Sequence, residues 1–452
     1  MPPDERSPRT NESGPGSRIT RRDAIRAAGA GLGGLALAGG SSGAVAATDA
    51  PRTPRLSIED NWLVDPDGNR VVLRGVNVDG PLFADRYDDR TAPEKIHKAT
   101  SDGWHARTVR LPCERDRIAD EADGDVEAYA RDYIDPAVEA AEEAGVYLIV
   151  DWHAVADWDD PAVGADLEAF WDVVAGRYAD REGVLYELFN EPVAPDADDL
   201  DTWLDWRERA QPWVDAIRAD APETPIIVGA PRYSQLVKYA DDAPFDGEDL
   251  VYAVHLYPLH FERMDMDAIA ETAANVPVAL TEWGYMNEPD LPEHMIGTTS
   301  DYGEAMRAWL ADNGSVSWTA WCFSRQYEPV MFSEAGTRGW EEDWTLLGGE
   351  DYQGAFVKEF LRETRDDDQP GGRPATATGT GTATPETTTG APGGGPTAST
   401  TDESPADPGT PDGTDANGAT GVSLPGFGAG TALGSIAGGA ALARWLWGDG
   451  GS

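Results

Sequence analysis

Three features of the sequence predict an α/β fold of the (β/α)8, or TIM, barrel type. Eight short apolar runs rich in β-branched residues occur within residues 56–364, and a polar or charged stretch follows each run. Their near-continuous apolar character indicates strands that are covered on both faces, as in a parallel sheet. Helical patterns separate the runs, and eight such strand–helix units form a barrel domain of ordinary size.

The eight strand candidates follow one another along the whole predicted domain. In chain order they are RVVLRGVNV, ARTVRLP, VYLIVDWH, VLYELFNEP, PIIVGAP, VYAVHLYP, PVALTEWG and VSWTAWCF. Helical patterns between them include YIDPAVEAAEEAG, DLEAFWDVVAGRYAD and WLDWRERAQPWVDAIRAD. The alternative is an open, doubly wound sheet. Because no glycine-rich dinucleotide or phosphate loop follows the first run, the barrel is favoured.

The first 47 residues have the pattern of an export signal. Arg21 and Arg22 precede a weakly apolar, glycine-rich run, and small residues surround Ala44-Val45-Ala46. This pattern resembles a twin-arginine signal peptide with an A-x-A cleavage site. A structural helix is the alternative, but glycine at this density disfavours it. We therefore expect residues 1–47 to direct secretion.

Two further segments follow the predicted barrel. In residues 365–423 threonine, glycine, proline and aspartate dominate and large apolar side chains vanish, which is typical of a disordered linker. Residues 424–447 carry one charge, Arg444, and are long enough to cross a bilayer of roughly 30 Å. They resemble the C-terminal sorting tails of archaeal surface proteins, although the final GDGGS lacks the usual basic residues. We expect a secreted protein that this tail tethers to the membrane or cell surface.

The charge balance limits the partners of the protein. With 82 acidic and 35 basic residues the net charge is −47, which argues against nucleic acid or an anionic membrane surface as a partner. The lysines are four in number, Lys95, Lys98, Lys238 and Lys358. An acidic, lysine-poor composition resembles that of proteins from salt-loving archaea, where salt screens the repulsion between charges. The alternative is an ordinary acidic protein.

The cysteines and histidines show no metal-binding pattern. Cys113 and Cys322 follow different predicted strands, without disulfide-framework or metal-ligand spacing. We expect two free, half-buried thiols, with a single bridge as the alternative. The six histidines lack H-x-H and H-E-x-x-H spacing, which disfavours a metal-dependent hydrolase. We expect neither a metal nor a cofactor.

Polar and aromatic side chains close six of the eight predicted strands. A barrel places the C-terminal ends of all its strands around one mouth, where enzymes of this fold build their active sites. Taken singly, each residue has a structural explanation, as a paired core arginine, a buried histidine or a tryptophan that fills a barrel layer. Their coincidence at one rim favours a functional site. The candidates are Arg110, His153, Asn190, Glu191, His255, Tyr257, Glu282 and Trp321.

Glu191 and Glu282, on the fourth and seventh predicted strands, are the strongest pair of candidates. Glycosidic hydrolysis needs one carboxylic acid that protonates the leaving oxygen and one carboxylate that faces the anomeric carbon. Opposed strands of a small barrel can hold two carboxyls about 5 Å apart, the separation of a retaining enzyme. We expect Asn190 and an aromatic wall to favour a protonated Glu191, and Arg110 and Tyr257 to stabilise an ionised Glu282.

Six short motifs resemble those of glycoside hydrolase family 5, in order and over the whole predicted domain: YELFNEP, ALTEWG, VRLP, IVDWH, VHLYP and WTAWCF. The closing WEEDWTLLGGEDYQGAFVKEFL is similar to the end of bacterial endoglucanase members. The resemblance implies that Glu191 is the acid/base and Glu282 the nucleophile. It also implies that Asn190 holds the sugar 2-hydroxyl and that Trp321 forms the sugar platform. The remaining candidates would support the pair: Arg110, His153, His255 and Tyr257.

The tripeptide Asn-Glu-Pro occurs twice, at residues 190–192 and 287–289. The first copy ends an apolar strand, whereas the second lies in a loop past the end of the seventh strand. We therefore expect a catalytic carboxyl in the first copy alone, and we expect Glu288 on a solvated turn.

The tryptophan content suggests a sugar substrate. Of the 16 tryptophans, five fall near the predicted rim: Trp104, Trp152, Trp158, Trp283 and Trp318. Aromatic faces stack on pyranose rings, which suits a long β-linked polysaccharide; the alternative is that half of them are core residues. We expect a monomeric, retaining endo-β-1,4-glucanase. The alternatives are a β-mannanase of the same fold and a non-catalytic surface protein that binds carbohydrate, although the presence of both glutamates disfavours the latter.

Overall fold

Eight parallel strands close into a barrel in this structure, a computed structural model that describes residues 53–88, 90–101, 103–333 and 344–370. Strands that are consecutive in sequence are neighbours in the sheet, and the last strand pairs with the first. The (β/α)8 barrel and all eight predicted strands are therefore confirmed. The strands are β1 (Arg74–Asn77), β2 (Thr108–Glu114), β3 (Tyr147–His153), β4 (Val184–Glu187), β5 (Ile226–Val228), β6 (Leu250–Leu256), β7 (Val278–Trp283) and β8 (Ser317–Ala320).

Helices connect the strands and pack against the outer face of the barrel. Local sequence sets their ends: Asp160 caps Pro161–Tyr178 by accepting from the Ala162 N–H, and Gly145, with φ of 66°, ends Asp135–Ala144. The α-helices are Pro81–Tyr87, Ala92–Thr100, Arg115–Glu121, Val126–Tyr129, Asp135–Ala144, Pro161–Tyr178, Leu200–Asp220, Pro231–Ser234, Pro258–Arg263, Met266–Asn275, Glu304–Asp312 and Gly354–Glu363. Shorter turns of 3-10 or π-helix are Ala130–Ile134, Leu236–Tyr239, Glu293–Met295 and Thr299–Gly303.

The barrel interior has an apolar lower part and a polar mouth. Alternate residues of a strand point to the same side, so that β4, for example, places both Leu185 and Glu187 inside. A three-stranded antiparallel sheet closes the lower end (Ser57–Glu59, Trp62–Val64 and Arg70–Val71). The lower residues pack so closely that a cavity of about 10 Å³ remains, room for about one water molecule. They are Leu63, Leu73, Ile149, Leu185, Ile227, Val251, Ala253 and Ala279.

A bulge in β7 breaks this alternation near the mouth. The register between β6 and β7 shifts after Val254, so that His255 pairs with Glu282 and Thr281 becomes the extra residue. A bulge re-aims the side chains around it. As a result two consecutive side chains, Thr281 and Glu282, both form hydrogen bonds inside the barrel.

The predicted signal peptide (residues 1–47), the apolar segment (424–447) and nearly all of the predicted linker lie outside the described residues and stay predictions. The start of that linker contacts the barrel. The Val72 N–H donates to the carbonyl of Asp368 (3.0 Å), and the Arg74 guanidinium donates to the carbonyl of Asp367 (3.0 Å). Within the described part of the chain, no helix has the length and apolar character needed to span a membrane.

Candidate active site

A single arginine organises the barrel mouth. Arg110 lies on β2 and is fully buried. Its guanidinium donates to Glu187 (2.6 Å), Glu282 (2.8 Å) and Asn190 (2.6 Å). A fourth acceptor is the side-chain carbonyl of Asn77 on β1 (3.0 Å). Because a guanidinium is planar and rigid, these bonds fix the relative positions of the side chains around it.

Glu282 receives hydrogen bonds on both carboxyl oxygens. Arg110 donates to Oε1, and the hydroxyl of Tyr257 donates to Oε2 at 2.8 Å. The Glu282 side chain is only 6% exposed. A buried carboxyl that accepts from a cation and from a hydroxyl is stabilised in its ionised form. Glu282 therefore presents an anionic oxygen at the mouth.

Glu191 lies past the end of β4, in different surroundings. β4 stops at Glu187, and the two-residue strand Glu191–Pro192 pairs instead with Val155–Ala156. Oε1 of Glu191 lies 2.8 Å from Nδ1 of His255, and the side chain is 14% exposed. Burial raises the pKa of Glu191 to about 7. The carboxyl therefore keeps its proton up to near-neutral pH.

The two glutamates approach each other across the mouth, with His255 beside both. Carboxyl oxygens of Glu191 and Glu282 and a ring nitrogen of His255 all lie within 4.8 Å of one another. Burial lowers the pKa of His255 to about 4, so the imidazole is neutral at neutral pH. The arrangement can donate a proton from one carboxyl and offer an anionic oxygen from the other to the same ligand.

These three side chains are also the one group of potential metal ligands found among the described residues. Two carboxyls and an imidazole suit a divalent cation chemically. In this structure, however, the Arg110 guanidinium already supplies positive charge to one carboxyl, and His255 Nδ1 faces the other. That no metal takes part stays a prediction.

His153 and Trp321 form one wall of the mouth. Their rings are parallel to within 5°, with centroids 5.6 Å apart. Nδ1 of His153 lies 2.7 Å from Asp151, and the Trp321 indole N–H donates to the carbonyl of Glu328 (3.0 Å). Since Trp321 is only 7% exposed, a ligand can touch a small part of its indole.

All eight residues that the sequence proposed for the site are connected by contacts, since Asp151 lies 3.1 Å from the Arg110 guanidinium and so joins His153 and Trp321 to the other six. Four further contributors were not among the candidates: Asn77, Asp151, Glu187 and Thr281. A signal for three of them was present, because Asp151 precedes His153 by two positions on β3 and Glu187 lies within the YELFNEP motif. Thr281 lies within the ALTEWG motif in the same way, and Asn77 alone lies outside the six motifs.

The expectation that five tryptophans near the rim offer their rings to a sugar is wrong. Each is at most 3% exposed, and each packs in the core between the barrel and its helices. Two of them meet edge to face at 5.6 Å. Their ring area is buried inside the protein, so they are not sugar platforms. These residues are Trp104, Trp152, Trp158, Trp283 and Trp318.

Two smaller expectations also need correction. Glu288 is half-buried and accepts a hydrogen bond from the hydroxyl of Tyr352, so it does not lie on a freely solvated turn. Cys113 and Cys322 are free, as expected, but they are fully rather than half buried. Burial raises the pKa of both thiols, which leaves them protonated and unreactive.

The fold and the site together define a class of enzyme. A (β/α)8 barrel with two close glutamates at its mouth is the arrangement of a glycoside hydrolase. The model of the family described as Cellulase (glycosyl hydrolase family 5) matches residues 64–326, more than half of the chain. The protein belongs to glycosyl hydrolase family 5.

Similar proteins carry endoglucanase names. Endoglucanase N of Pectobacterium atrosepticum is 28% identical over 338 residues, which cover 71% of this chain and 68% of that protein. Endoglucanase A of Butyrivibrio fibrisolvens is 29% identical over 271 residues, which cover 57% of this chain and 60% of that protein. The chain thus spans between 60% and 68% of the length of these two relatives.

Solved structures show the same fold. A β-glucanase from Saccharophagus degradans matches with a TM-score of 0.57 at 24% identity, over 69% of this chain and 94% of that chain. Another structure of that β-glucanase is a complex with cellotetraose, and it matches with a TM-score of 0.56. At this level of identity the likeness shows the barrel fold alone.

Proposed function

We propose that the protein is a retaining endo-β-1,4-glucanase, a cellulase that cleaves β-linked glucan by double displacement. One observation carries the proposal: carboxyl oxygens of Glu191 and Glu282 lie within 4.8 Å of each other. Retaining glycosidases hold their carboxyls about 5 Å apart, whereas inverting enzymes need about 6.5–9.5 Å to admit a water molecule. The names of the similar endoglucanases support the substrate class.

In the first displacement, an ionised Glu282 oxygen attacks the anomeric carbon of the bound glucan. The carboxyl of Glu191 gives its proton to the glycosidic oxygen as the bond to the leaving chain breaks. The products of this step are the released chain with a new hydroxyl and a glycosyl ester on Glu282. Tyr257 and Arg110 hold the attacking carboxylate in place through one hydrogen bond to each of its oxygens.

In the second displacement, the Glu191 carboxylate takes a proton from water as that water attacks the same carbon. The ester bond to Glu282 breaks, the free carboxylate returns, and the proton on Glu191 is restored. Two inversions at one carbon give net retention of the β-configuration. Burial of Glu191, which raises its pKa to about 7, suits a group that must alternate between acid and base near neutral pH.

The test is turnover by the full chain, at molar salt, on soluble cellulose derivative and on mannan. We expect reducing ends to appear on the glucan, together with a rapid fall in viscosity that indicates internal cleavage. Proton NMR of the first products should show the β-anomer before mutarotation. An initial α-anomer would contradict double displacement, and cleavage of mannan alone would make the protein a β-mannanase.

Secretion belongs to the same proposal. The pattern in residues 1–47 supports twin-arginine export, and the apolar segment at residues 424–447 supports a membrane or cell-surface tether. A polymer substrate has to be degraded outside the cell, which agrees with both. Replacing Arg21 and Arg22 by lysine should leave the enzyme inside the cells that express it, as measured by activity in the medium.

A further inference from the structure

A continuous chain of hydrogen bonds joins Glu191 to a second buried glutamate. Oε1 of Glu191 lies 2.8 Å from Nδ1 of His255, and Nε2 of the same imidazole lies 3.0 Å from the hydroxyl of Thr281. The hydroxyl of Thr281 in turn lies 3.0 Å from Oε1 of Glu187. His255, Thr281 and Glu187 are each at most 1% exposed, so water does not compete for these bonds.

The bulge in β7 makes this chain possible. Regular alternation would place Thr281 and Glu282 on opposite faces of the strand. The register shift between β6 and β7 instead lets Thr281 reach Glu187 while the neighbouring Glu282 bonds to Arg110. The acid/base and the nucleophile thereby belong to two hydrogen-bond systems that meet at one arginine.

Arg110 favours a carboxylate at the far end of the chain. Glu187 accepts from Nε of Arg110 at 2.6 Å and from Nη2 at 3.1 Å, a two-pronged contact. Burial raises the pKa of Glu187 as it does that of Glu191. Of these two buried carboxyls, Glu187 alone bonds to the guanidinium, so a proton shared between them rests on Glu191.

We infer that Thr281 and Glu187 are positioning residues that act through His255 to hold the proton on Glu191. The inference rests on the proposed function, in which Glu191 must be protonated before the first displacement. In this acid form Glu191 donates to Nδ1, Nε2–H donates to the Thr281 hydroxyl, and that hydroxyl donates to the Glu187 carboxylate. Every donor in the chain then has an acceptor, and the chain ends on a negative charge.

Loss of the Glu191 proton to solvent reverses part of the chain. The imidazole then carries its hydrogen on Nδ1, where it donates to the Glu191 carboxylate. Thr281 turns its hydroxyl from Glu187 to the bare Nε2, while Glu187 keeps its two bonds from Arg110. In the base form, Glu187 therefore no longer accepts the hydrogen bond from Thr281. Because a hydrogen bond to a carboxylate is a strong one, its loss favours the form in which Glu191 keeps its proton.

Other charged and titratable groups face these residues and must stay constant in a test. Arg110, Asp151, His153 and Glu282 surround the chain, Tyr233 and Tyr257 also lie near Glu191, and His260 lies near His255. A substitution at Thr281 changes none of these charges. It therefore separates the hydrogen-bond chain from the electrostatic field of the site.

The first test compares the basic limb of kcat/KM against pH in two variants, on a cello-oligosaccharide with its natural leaving group. Thr281→Val keeps the shape and removes the hydroxyl, and it should lower the apparent pKa of that limb by about half to one pH unit. Thr281→Ser restores the hydroxyl and should restore the wild-type limb. An unshifted limb in Thr281→Val, or an equal shift in Thr281→Ser, would overturn the inference.

Thr108→Val is the matched control. Thr108 is also a buried threonine on a barrel strand, and its hydroxyl has no hydrogen-bond partner among the described residues. This substitution should leave the basic limb where it is in the wild type. A shift as large as that of Thr281→Val would show that loss of any barrel hydroxyl lowers the apparent pKa of the basic limb. That result would overturn the inference about Thr281 and Glu187.

A second measurement observes the tautomer of His255 in the wild-type protein, and a variant is needed only to assign the signals. Nitrogen-15 NMR of histidine in the full-length protein distinguishes the two neutral tautomers, and the His255 signals can be assigned by comparison with His255→Gln. We expect the Nε2–H tautomer below the basic limb and the Nδ1–H tautomer above it, with the same midpoint. A single tautomer on both sides of the limb would overturn the inference.

A third experiment separates this inference from the proposed function. Azide should rescue Glu191→Ala on an activated aryl cellobioside if Glu191 is the acid/base. Rescue together with an unshifted basic limb in Thr281→Val would overturn the inference about Thr281 and Glu187 and leave the proposed function standing. Failure of rescue would overturn the role of Glu191 as acid/base, and with it the inference about Thr281 and Glu187.

Discussion

Arg110 donates a hydrogen bond to Glu282, whereas Glu191 contacts a neutral histidine, and this difference gives two chemically identical side chains different electrostatic surroundings. The carboxyl of Glu282 accepts one hydrogen bond from the cation and one from the hydroxyl of Tyr257. The carboxyl beside His255 is buried without such a bond, and its pKa rises to about 7. The division of labour that we propose for the two glutamates thus rests on their immediate neighbours.

Two alanine variants test that division, and a third serves as their control. Glu191→Ala should lose activity on poor leaving groups yet retain much of the first displacement on an activated aryl glycoside, which needs little protonation. Glu282→Ala should be inactive on both, because no covalent intermediate can form. The measurement is the rate of product formation by each variant on a natural substrate and on an activated aryl glycoside.

Glu288→Ala is the control from the second Asn-Glu-Pro tripeptide. It removes the contact with Tyr352, so it should cost about 1 kcal/mol of unfolding free energy and leave kcat near that of the wild type. If Glu288→Ala abolished activity while Glu191→Ala was benign, the assignment of the acid/base would be wrong.

The pH dependence of activity follows from the raised pKa of Glu191. Activity on natural substrate needs the protonated carboxyl, so kcat/KM should fall as pH rises through about 7. An activated aryl glycoside should show a much weaker basic limb, because its leaving group departs without a proton. A basic limb at pH 4–5, the ordinary range of a glutamate, would contradict this reading.

At the scale of single elements, helix Ala92–Thr100 is anchored by a buried charge. Lys95 has no exposed surface and contacts two carboxylates, Asp79 and Asp88, the second at 2.9 Å. The N-terminus of the helix is fixed by a capping box between Thr91 and Glu94. An ion pair of this kind stabilises only while it is complete, because either partner alone is a buried, uncompensated charge.

Lys95→Met should therefore destabilise the protein strongly. We expect a loss of about 3–5 kcal/mol of unfolding free energy, measured by urea denaturation. Lys238→Met is the matched control, since Lys238 is 25% exposed and pairs with the half-exposed Asp198; its cost should stay within about 1 kcal/mol. Equal costs for the two variants would contradict the burial-based account.

Helix Gly354–Glu363 is the last helix among the described residues, and the residues that follow it also contact the barrel. Truncation after Thr364 removes the acceptors of Val72 N–H and of Arg74, and it should lower stability by about 1–3 kcal/mol. Truncation after Pro370 keeps them and should match the full chain in melting temperature and in turnover of soluble substrate. If the chain truncated after Pro370 melted at a lower temperature than the full chain, residues beyond Pro370 would stabilise the barrel.

At the scale of the whole molecule, the main electrostatic feature is the net charge of −47. Repulsion among so many carboxylates acts over a distance that salt sets, about 3 Å at 1 M and about 30 Å at 0.01 M. The described surface pairs most of its arginines with acidic neighbours, as in Arg177 with Asp135 (2.6 Å) and Arg181 with Glu142 (2.8 Å). Arginines are too few to neutralise the excess of acid.

Dilution of salt should therefore destabilise the protein. We expect both melting temperature and activity to fall on dialysis from molar sodium chloride into dilute buffer. Sucrose serves as the control, because it is excluded from protein surfaces but does not screen charge, and it should not restore activity in dilute buffer. An unchanged melting curve across the salt series would contradict adaptation to high salt.

Local sequence was enough to predict the barrel and the rim of the site. Strand runs are short-range patterns, and a barrel brings the ends of all its strands to one mouth, so the eight candidates could be found without coordinates. Glu187 and Asp151 were within reach of the same reasoning, because each lies inside a quoted motif and points inward with its neighbours two residues away.

Long-range pairing decided the rest. The register shift that aims Thr281 and Glu282 inward depends on how β6 pairs with β7, and the strand that carries Glu191 depends on Val155–Ala156. Whether a tryptophan faces sugar or core depends on which helix packs over it, and that cannot be read from one strand.

By itself, then, the sequence determined the fold class, the two glutamates and their rim, because strand periodicity and charged residues at strand ends are local features. The tertiary structure alone decided that His255 lies beside the Glu191 carboxyl while Asn190 accepts from Arg110, because these contacts join residues on or just after four strands of the barrel, β2, β4, β6 and β7. The free energy of a charge depends on every group within a few ångströms, and those groups are distant in sequence.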